Sequence, residues 1–459
     1  MTETTAPSHD PRDPRDPRDP AEPGAPAAPA TSATPGKPAK PRSPLTRRDF
    51  TLVWASSFVS DTGDWLLMIA LPLFAFAATG SALGASTVFL AELIPMLVLG
   101  SFLGVLVDRW DHRRTMIVTN LLQGALLLPL LWASADRMWI VYAVAAIEAC
   151  LGAIINPAKQ ALVPRLVEPD QLGTGNALMA VSENLARLIG SPLGGLVFAL
   201  SGLPGVVLID AASYVVSASL VALSRPVALA AGEHGHAGEP LPRLHFFRQW
   251  VDGMSTIRRT HPLGAITAIT TLGQFAQGIF LVLFIVYVVQ NLGASDTEVG
   301  LLRGVQAIGG VAGGLLTGVL IRRFTPRGLV GWGYLLFGAI SLVTWNLYPV
   351  TTAVWVYAGL FIAVGIPGVA TGTGMITIVQ KVTPPDAMGR VFASVTTFAG
   401  AAQGAGLLVA GLLAERFDVV AILNGQASVY LLCGVLAFLL LGDRRVRSAA
   451  AGESGGLVH

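Results

Sequence analysis

The sequence predicts an all-α membrane protein with twelve transmembrane helices in two parallel-repeat six-helix bundles. Three observations carry this. First, the 459 residues are 53% hydrophobic and only 13% charged, with a mean hydropathy of +0.63. A soluble domain carries about 25% charged residues, so too few are present to cover a water-facing surface of this size. Second, apolar runs of about 20 residues, the length needed to cross a bilayer, recur from residue 49 onward. Third, motifs in the first half return roughly 215 residues further on.

Residues 1–44 are rich in Pro, Ala, Asp and Arg, with a tandem Asp-Pro-Arg run between Asp10 and Pro20. Such a segment has nothing to bury, and it is expected to be a disordered cytoplasmic tail. No signal peptide is expected ahead of the first span. An N-terminal six-helix bundle over 45–224 is predicted from spans 49–79, 82–107, 115–134, 138–164, 171–200 and 204–224. A polar connector follows at 225–261. The C-terminal bundle, 262–442, is predicted from spans 263–291, 297–321, 328–347, 352–381, 387–415 and 419–441, before a cytoplasmic tail at 443–459.

Arginine placement predicts orientation. One set of loops carries Arg47 and Arg48, then Arg109, Arg113 and Arg114, Arg165, Arg225, Arg322, Arg323 and Arg327, Arg390, and Arg444 onward. The alternate loops carry little beyond Arg137 and Arg416. By the positive-inside rule the first set is cytoplasmic, with both termini and the connector. An inner, plasma-membrane location is expected. The two halves repeat: Gly104-Val-Leu-Val-Asp108-Arg109 returns as Gly318-Val-Leu-Ile-Arg322-Arg323, Glu168-Pro-Asp170 as Pro384-Pro-Asp386, and Trp139-Ile-Val-Tyr-Ala as Trp355-Val-Tyr-Ala. A six-helix parallel repeat argues against a mere membrane anchor.

Gly104, Asp108, Arg109, Arg113 and Arg114 end the second span. Glycine allows close backbone approach, an acid suits a helix N-terminus, and arginines suit carboxylates or phosphates. These residues resemble the loop signature of the major facilitator superfamily, with Asp111 and His112 departing from its common form. The form Val-Asp-Arg-Trp-Asp-x-Arg-Arg is similar to the bacterial branch of macrolide-efflux and enterobactin-export proteins. So are Ser60-Asp61-Thr-Gly63-Asp64-Trp65, Asn156-Pro157-Ala158, Ala161-Leu-Val-Pro164 and Asp386 with Gly389-Arg390. The resemblance implies a conformational latch at the loop. It also implies a secondary active transporter, a proton-coupled exporter of an amphipathic small molecule such as a drug, macrolide or siderophore-like compound, working by alternating access. A lysophospholipid-like cargo, or a non-transporting receptor of the same fold, are the alternatives. Gly190-Ser191-Pro192-Leu193-Gly194-Gly195 resembles the antiporter motif of this superfamily, with the proline displaced by one place; ordinary small-residue helix packing through Gly190, Pro192, Gly194 and Gly195 is the competing reading.

Charged residues inside spans are functional pointers by default. Asp61, Asp64, Glu92, Glu148, Glu183 and Asp210 lie in the first half, with Arg187 four residues after Glu183 on the same helix face. Asp64, Glu92 and Glu148 have no local cation, and such carboxyls can carry a proton. Glu183 with Arg187, and Asp210 with Arg187, are possible structural pairs. Asp61 and Asp64 could instead bond backbone near Gly63. Trp65, Met68, Phe275 and Phe280 are candidates for an apolar cavity wall. The C-terminal spans offer Arg303, Gln274, Gln277, Gln306, Gln403, Asn424 and Gln426.

No Gly-rich phosphate loop is present, so ATP-driven pumping is not expected. Cys150 and Cys433, in different halves, do not make a disulfide framework or metal site. No enzyme, cofactor or metal is expected. The expected partners are a small-molecule substrate, protons and the lipid bilayer, with no nucleic acid, and the chain is expected to be a monomer.

Overall fold

In the computed structural model, the described residues are 43–107, 110–225, 254–258, 260–320, 323–384 and 387–442. The N-terminal tail, most of the connector and the C-terminal tail fall outside them.

Helix α1 is Arg48–Thr79, α2 Ala82–Val107 and α3 His112–Leu127. A 3-10 stretch, Leu128–Trp132, prolongs α3, and α4 is Met138–Leu166. The run Leu172–Leu223 is too long for one span, and Gly202 breaks it at φ 63, ψ −164, with Pro204 following. That backbone conformation is open to glycine and strained for other residues. The run is therefore α5 (172–201) and α6 (203–223). Eleven segments long and apolar enough to cross a membrane thus supply twelve helices among the described residues.

Helix α7, His261–Val286, runs on through a π-turn at Tyr287–Asn291. Then come α8 Asp296–Leu320, α9 Pro326–Asn346, α10 Val354–Val382, α11 Met388–Leu413 and α12 Val419–Leu440. The repeat is visible in the caps. Asp111 Oδ1 accepts the Arg114 N–H at 2.7 Å to start α3, and Thr325 Oγ1 accepts the Gly328 N–H at 3.2 Å at the equivalent start of α9. Each side chain satisfies a helix N–H that has no partner within the helix.

Packing repeats as well. Helix α2 packs on α4 as α8 does on α10, and α3 on α4 as α9 does on α10. Helix α1 lies between α5 and α6 as α7 does between α11 and α12. A Cβ on Gly190 of α5 would collide with Thr62 O of α1, and one on Gly406 of α11 with Phe275 O of α7. Only glycine lets these backbones meet.

The bundles touch along two seams, α5 with α8 and α2 with α11. Both are tight toward the end bearing the α1–α2 and α7–α8 turns. A Cβ on Gly195 would be 3.0 Å from Thr297 Cα, one on Gly304 2.7 Å from Pro192 Cδ, and one on Gly411 3.0 Å from Leu83 Cα. Ser86 donates to Leu407 O at 2.6 Å, and Ser81 to Glu415 at 2.7 Å. Toward the arginine-rich end the same face of α8 continues as Val311 and Leu315, 46% and 75% exposed. Facing α5 carries Val181, 49% exposed. The α5–α8 seam loosens there: a Cβ on Gly310 would still lie 3.8 Å from Asn184 Oδ1, and one on Gly314 would meet nothing within 4 Å.

Candidate functional site

Helix α1 brings Asp61 and Asp64 to the inside of the N-terminal bundle, one turn apart. Lys159 of α4 donates to Asp61 Oδ1 and Oδ2 at 3.1 and 3.2 Å. Asp61 is thus half of an ion pair across α1 and α4 and makes no bond to backbone at Gly63. Gly63 itself is an ordinary helical residue whose missing side chain leaves room for Asp210 Oδ1 and Ser213 of α6.

Asp64 meets Tyr214 of α6, whose hydroxyl lies 2.6 Å from Asp64 Oδ1 and 2.7 Å from Glu148 Oε1 of α4. Gln123 of α3 donates to that phenol oxygen at 3.2 Å and also to Glu148 Oε1. Four helices converge on this hydroxyl. A phenol has one hydrogen, so it can donate to only one carboxylate. The second short contact would need a hydrogen on the other carboxyl, so the geometry suits one proton carried between the two acids in addition to the phenol's own. Tyr214 is 1% exposed and Gln123 is buried, while Asp64 keeps accessible surface and Glu148 is half-buried. The cluster therefore joins a more accessible acid, Asp64, to a less accessible one, Glu148.

The neighbours of this cluster are ionisable too. Asp61, Lys159 and Glu148 act on Asp64, and Glu92 of α2 feels Glu148. Asp210 is fully buried, accepts from Ser213 at 3.0 Å, and faces Asp64 and Glu148 rather than Arg187.

Arg187 feels the charge of Glu183 but does not bond it. No ion pair within 4 Å joins them, and the ion pairs among the described residues are Arg47–Glu168 and Lys159–Asp61. Arg187 instead reaches across the seam, donating to Gln306 Oε1 of α8 at 2.7 Å, with its guanidinium 5.0 Å from the Trp65 ring. Glu183 is exposed.

The glycine-rich stretch of α5 has two faces. Gly190 and Gly194 seat α5 on α1 at Trp65 and Leu66, and Gly195 and Pro192 seat it on α8 at Thr297 and Gly304. At the loop signature, Asp108 and Arg109 lie outside the described residues, and Gly104 sits near the end of α2. Among the described residues Arg113 pairs with no carboxylate; it donates to Ala222 O and Ser224 O at 2.7 and 3.1 Å, closing the free carbonyls at the end of α6. Arg114 contributes its backbone N–H to the Asp111 cap.

The aromatic candidates separate. Phe280 packs on Phe284, Trp345 and Phe361. Phe275 lines a groove of about 880 Å³ between α7, α11 and α12, with Leu272, Phe398 and Leu436. Sequence reasoning missed Lys159, Tyr214 and Gln123. A lysine inside the fourth span was a usable signal, since such a residue is costly in a bilayer.

The sequence matches the family described as transmembrane secretion effectors over residues 39–454. The chain belongs to this family of major facilitator transporters. It is similar to macrolide efflux protein A of Streptococcus pyogenes, 26% identical over 377 residues that cover 81% of this chain and 90% of the relative. It is also similar to the multidrug efflux pump Tap of Mycolicibacterium fortuitum, 24% identical over 86% of this chain and 96% of the relative. Its fold is shared with the nucleoside transporter NupG, at a TM-score of 0.67 and 12% identity over 88% of this chain and 99% of that one. A bacterial homologue of the iron transporter ferroportin aligns at a TM-score of 0.61 and 17% identity, over 88% of this chain and 99% of that chain. As a member of this family the chain is a multi-pass membrane transporter, not an enzyme.

Proposed function

We propose that this transporter is a proton-coupled exporter of an amphipathic small molecule, working by alternating access in the plasma membrane with both termini in the cytoplasm. The observation that carries the coupling is the Tyr214 hydroxyl held between Asp64 and Glu148 at 2.6 and 2.7 Å. Such a triad can pass a proton between a more accessible and a less accessible carboxyl without moving heavy atoms far. The efflux activities in the names of two relatives support export.

Arginine placement supports the orientation. With the arginine-rich end in the cytoplasm, the tight seams close the outer side and the opening faces inward, where cargo would enter. Rocking the bundles about the seams would expose the same site outward. Protonation from outside would then accompany cargo release, and deprotonation inside would reset the carrier.

The test is uptake of a labelled macrolide and of a panel of amphipathic dyes into inside-out vesicles under an imposed pH gradient. The parent should accumulate at least one compound and stop when a protonophore is added. Asp64→Asn should equilibrate that compound but not accumulate it. Accumulation that survives the protonophore, or a variant that accumulates as the parent does, contradicts the reading.

A further inference from the structure

We propose that Arg187 and Arg303 form a receptor for an anionic group, a carboxylate or phosphate, carried by the amphipathic cargo. This rests on the exporter reading and adds the charge class of the cargo. Two guanidinium groups, one from each bundle, converge on a single neutral oxygen. Arg187 Nη2 lies 2.7 Å and Arg303 Nη1 3.4 Å from Gln306 Oε1. Each guanidinium has five N–H donors. Arg187 Nε is buried without an acceptor, and Arg303 as a whole is 7% exposed.

Neither arginine has a carboxylate within 4 Å among the described residues. The deep acids gather elsewhere, around Tyr214 and Lys159. Glu183 acts on Arg187 only from beyond ion-pair distance, and Tyr430 lies near Arg303; the closer surroundings are apolar, with the Trp65 ring 5.0 Å from Arg187, the Phe280 ring 5.3 Å from Arg303, and a small void at Arg303 lined by Met68, Ile69 and Phe89. Ring faces offset part of the cost of burying a cation, but two like charges in a low-dielectric site still favour an anion strongly. The guanidinium fork matches a carboxylate or phosphate through paired hydrogen bonds.

Position fits a ligand. Gly304 against Pro192 is a tight contact of the α5–α8 seam, which loosens to 3.8 Å at Gly310 and Asn184 and has nothing within 4 Å at Gly314, beside the exposed Leu315. The arginines thus sit at the apex of the opening. The repeat supplies a control. Glu92 occupies the place of Gln306, and Gln403 that of Arg187, on the α2–α11 seam, which is tight without any arginine there. Cations are therefore not needed to close a seam of this design. A cargo whose anion lies between Arg187 and Arg303, with its apolar body on Trp65, Met68 and Phe280, would use every feature of the site.

The test is calorimetric titration of the full chain in lipid nanodiscs with laurate, its methyl ester, dodecylammonium and inorganic phosphate. No pH gradient is used, so the outcome is independent of proton coupling. Laurate should bind about tenfold or more tightly than the ester, as charge-assisted hydrogen bonds imply. Arg187→Gln and Arg303→Gln should each lose that advantage, while ester binding stays level. Arg303→Lys, which keeps the charge, should retain part of it. Equal binding of laurate and ester, stronger binding of dodecylammonium, or parental laurate affinity in Arg187→Gln would overturn the proposal. Phosphate binding as tightly as laurate would also overturn it, leaving a free-anion site.

Discussion

The two bundles build the same frame with different chemistry. In the N-terminal bundle Tyr214 of α6 lies 2.6 Å from Asp64 of α1. In the C-terminal bundle Tyr430 of α12 donates to Gln277 of α7 at 3.1 Å. The equivalence follows from packing, since Gly190 meets Thr62 as Gly406 meets Phe275. Asp210, three residues before Ser213 on α6, corresponds to Gln426, and both are buried. Two carboxyls in one half are carboxamides in the other. The C-terminal half shows that this frame packs without a carboxyl at either place, so the acids of the first half are not there to hold it together.

The largest expected effect breaks that asymmetry. Asp64→Asn makes the N-terminal frame resemble the C-terminal one, and gradient-driven accumulation should fall to passive equilibration in vesicle uptake. Gln277→Asn, at the equivalent place, should stay within about twofold of the parent, because no proton is carried there.

Next is the hydroxyl itself. Tyr214→Phe keeps the ring and removes the bridge. Coupled uptake should drop about tenfold, with a stability loss of about 1–3 kcal/mol for the polar groups left unpaired. Tyr430→Phe should lose less on both measures, since its partner is neutral. Equal losses in the two variants would remove the functional distinction between the halves.

Seam packing gives a third, smaller effect. Gly195→Leu should overpack the contact with Asp296 and Thr297 by about 1–3 kcal/mol. Spin-label distances across the arginine-poor end of α5 and α8 should lengthen, and insertion should be normal. Unchanged distances would mean that this seam is not the gate.

The smallest effect is expected from Glu183→Gln. A pair with Arg187 would make the substitution strand a cation. The structure gives Arg187 to Gln306 instead, so thermal unfolding should shift by no more than an ordinary exposed substitution, about 0.5 kcal/mol. A loss of several kcal/mol would restore the intrahelical pair.

These residues also show what the sequence could and could not tell. Hydropathy and arginine placement are one-dimensional signals, and they located the spans closely: α2 runs 82–107 in both readings. Helix α3 starts three residues earlier than its apolar run because Asp111, a cap, sets the start. The i, i+4 spacing of Glu183 and Arg187 correctly put them near one helix face, but helix spacing says nothing about competition from α8. Tyr214 reaches Asp64 only because Gly202 folds α6 back along α1, and no local pattern announces a partner 150 residues away. Lys159 was legible as an intramembrane cation, yet its partner was not.

The central claim is that Asp64 and Glu148 share one proton through Tyr214. Infrared difference spectroscopy of the purified full chain, titrated from acid to alkali, reads it without any cargo. The account expects a protonated-carboxyl carbonyl band in the parent that shifts or disappears in Asp64→Asn and in Glu148→Gln, and that moves in Tyr214→Phe. A parent without such a band, or a band untouched in all three variants, would contradict it.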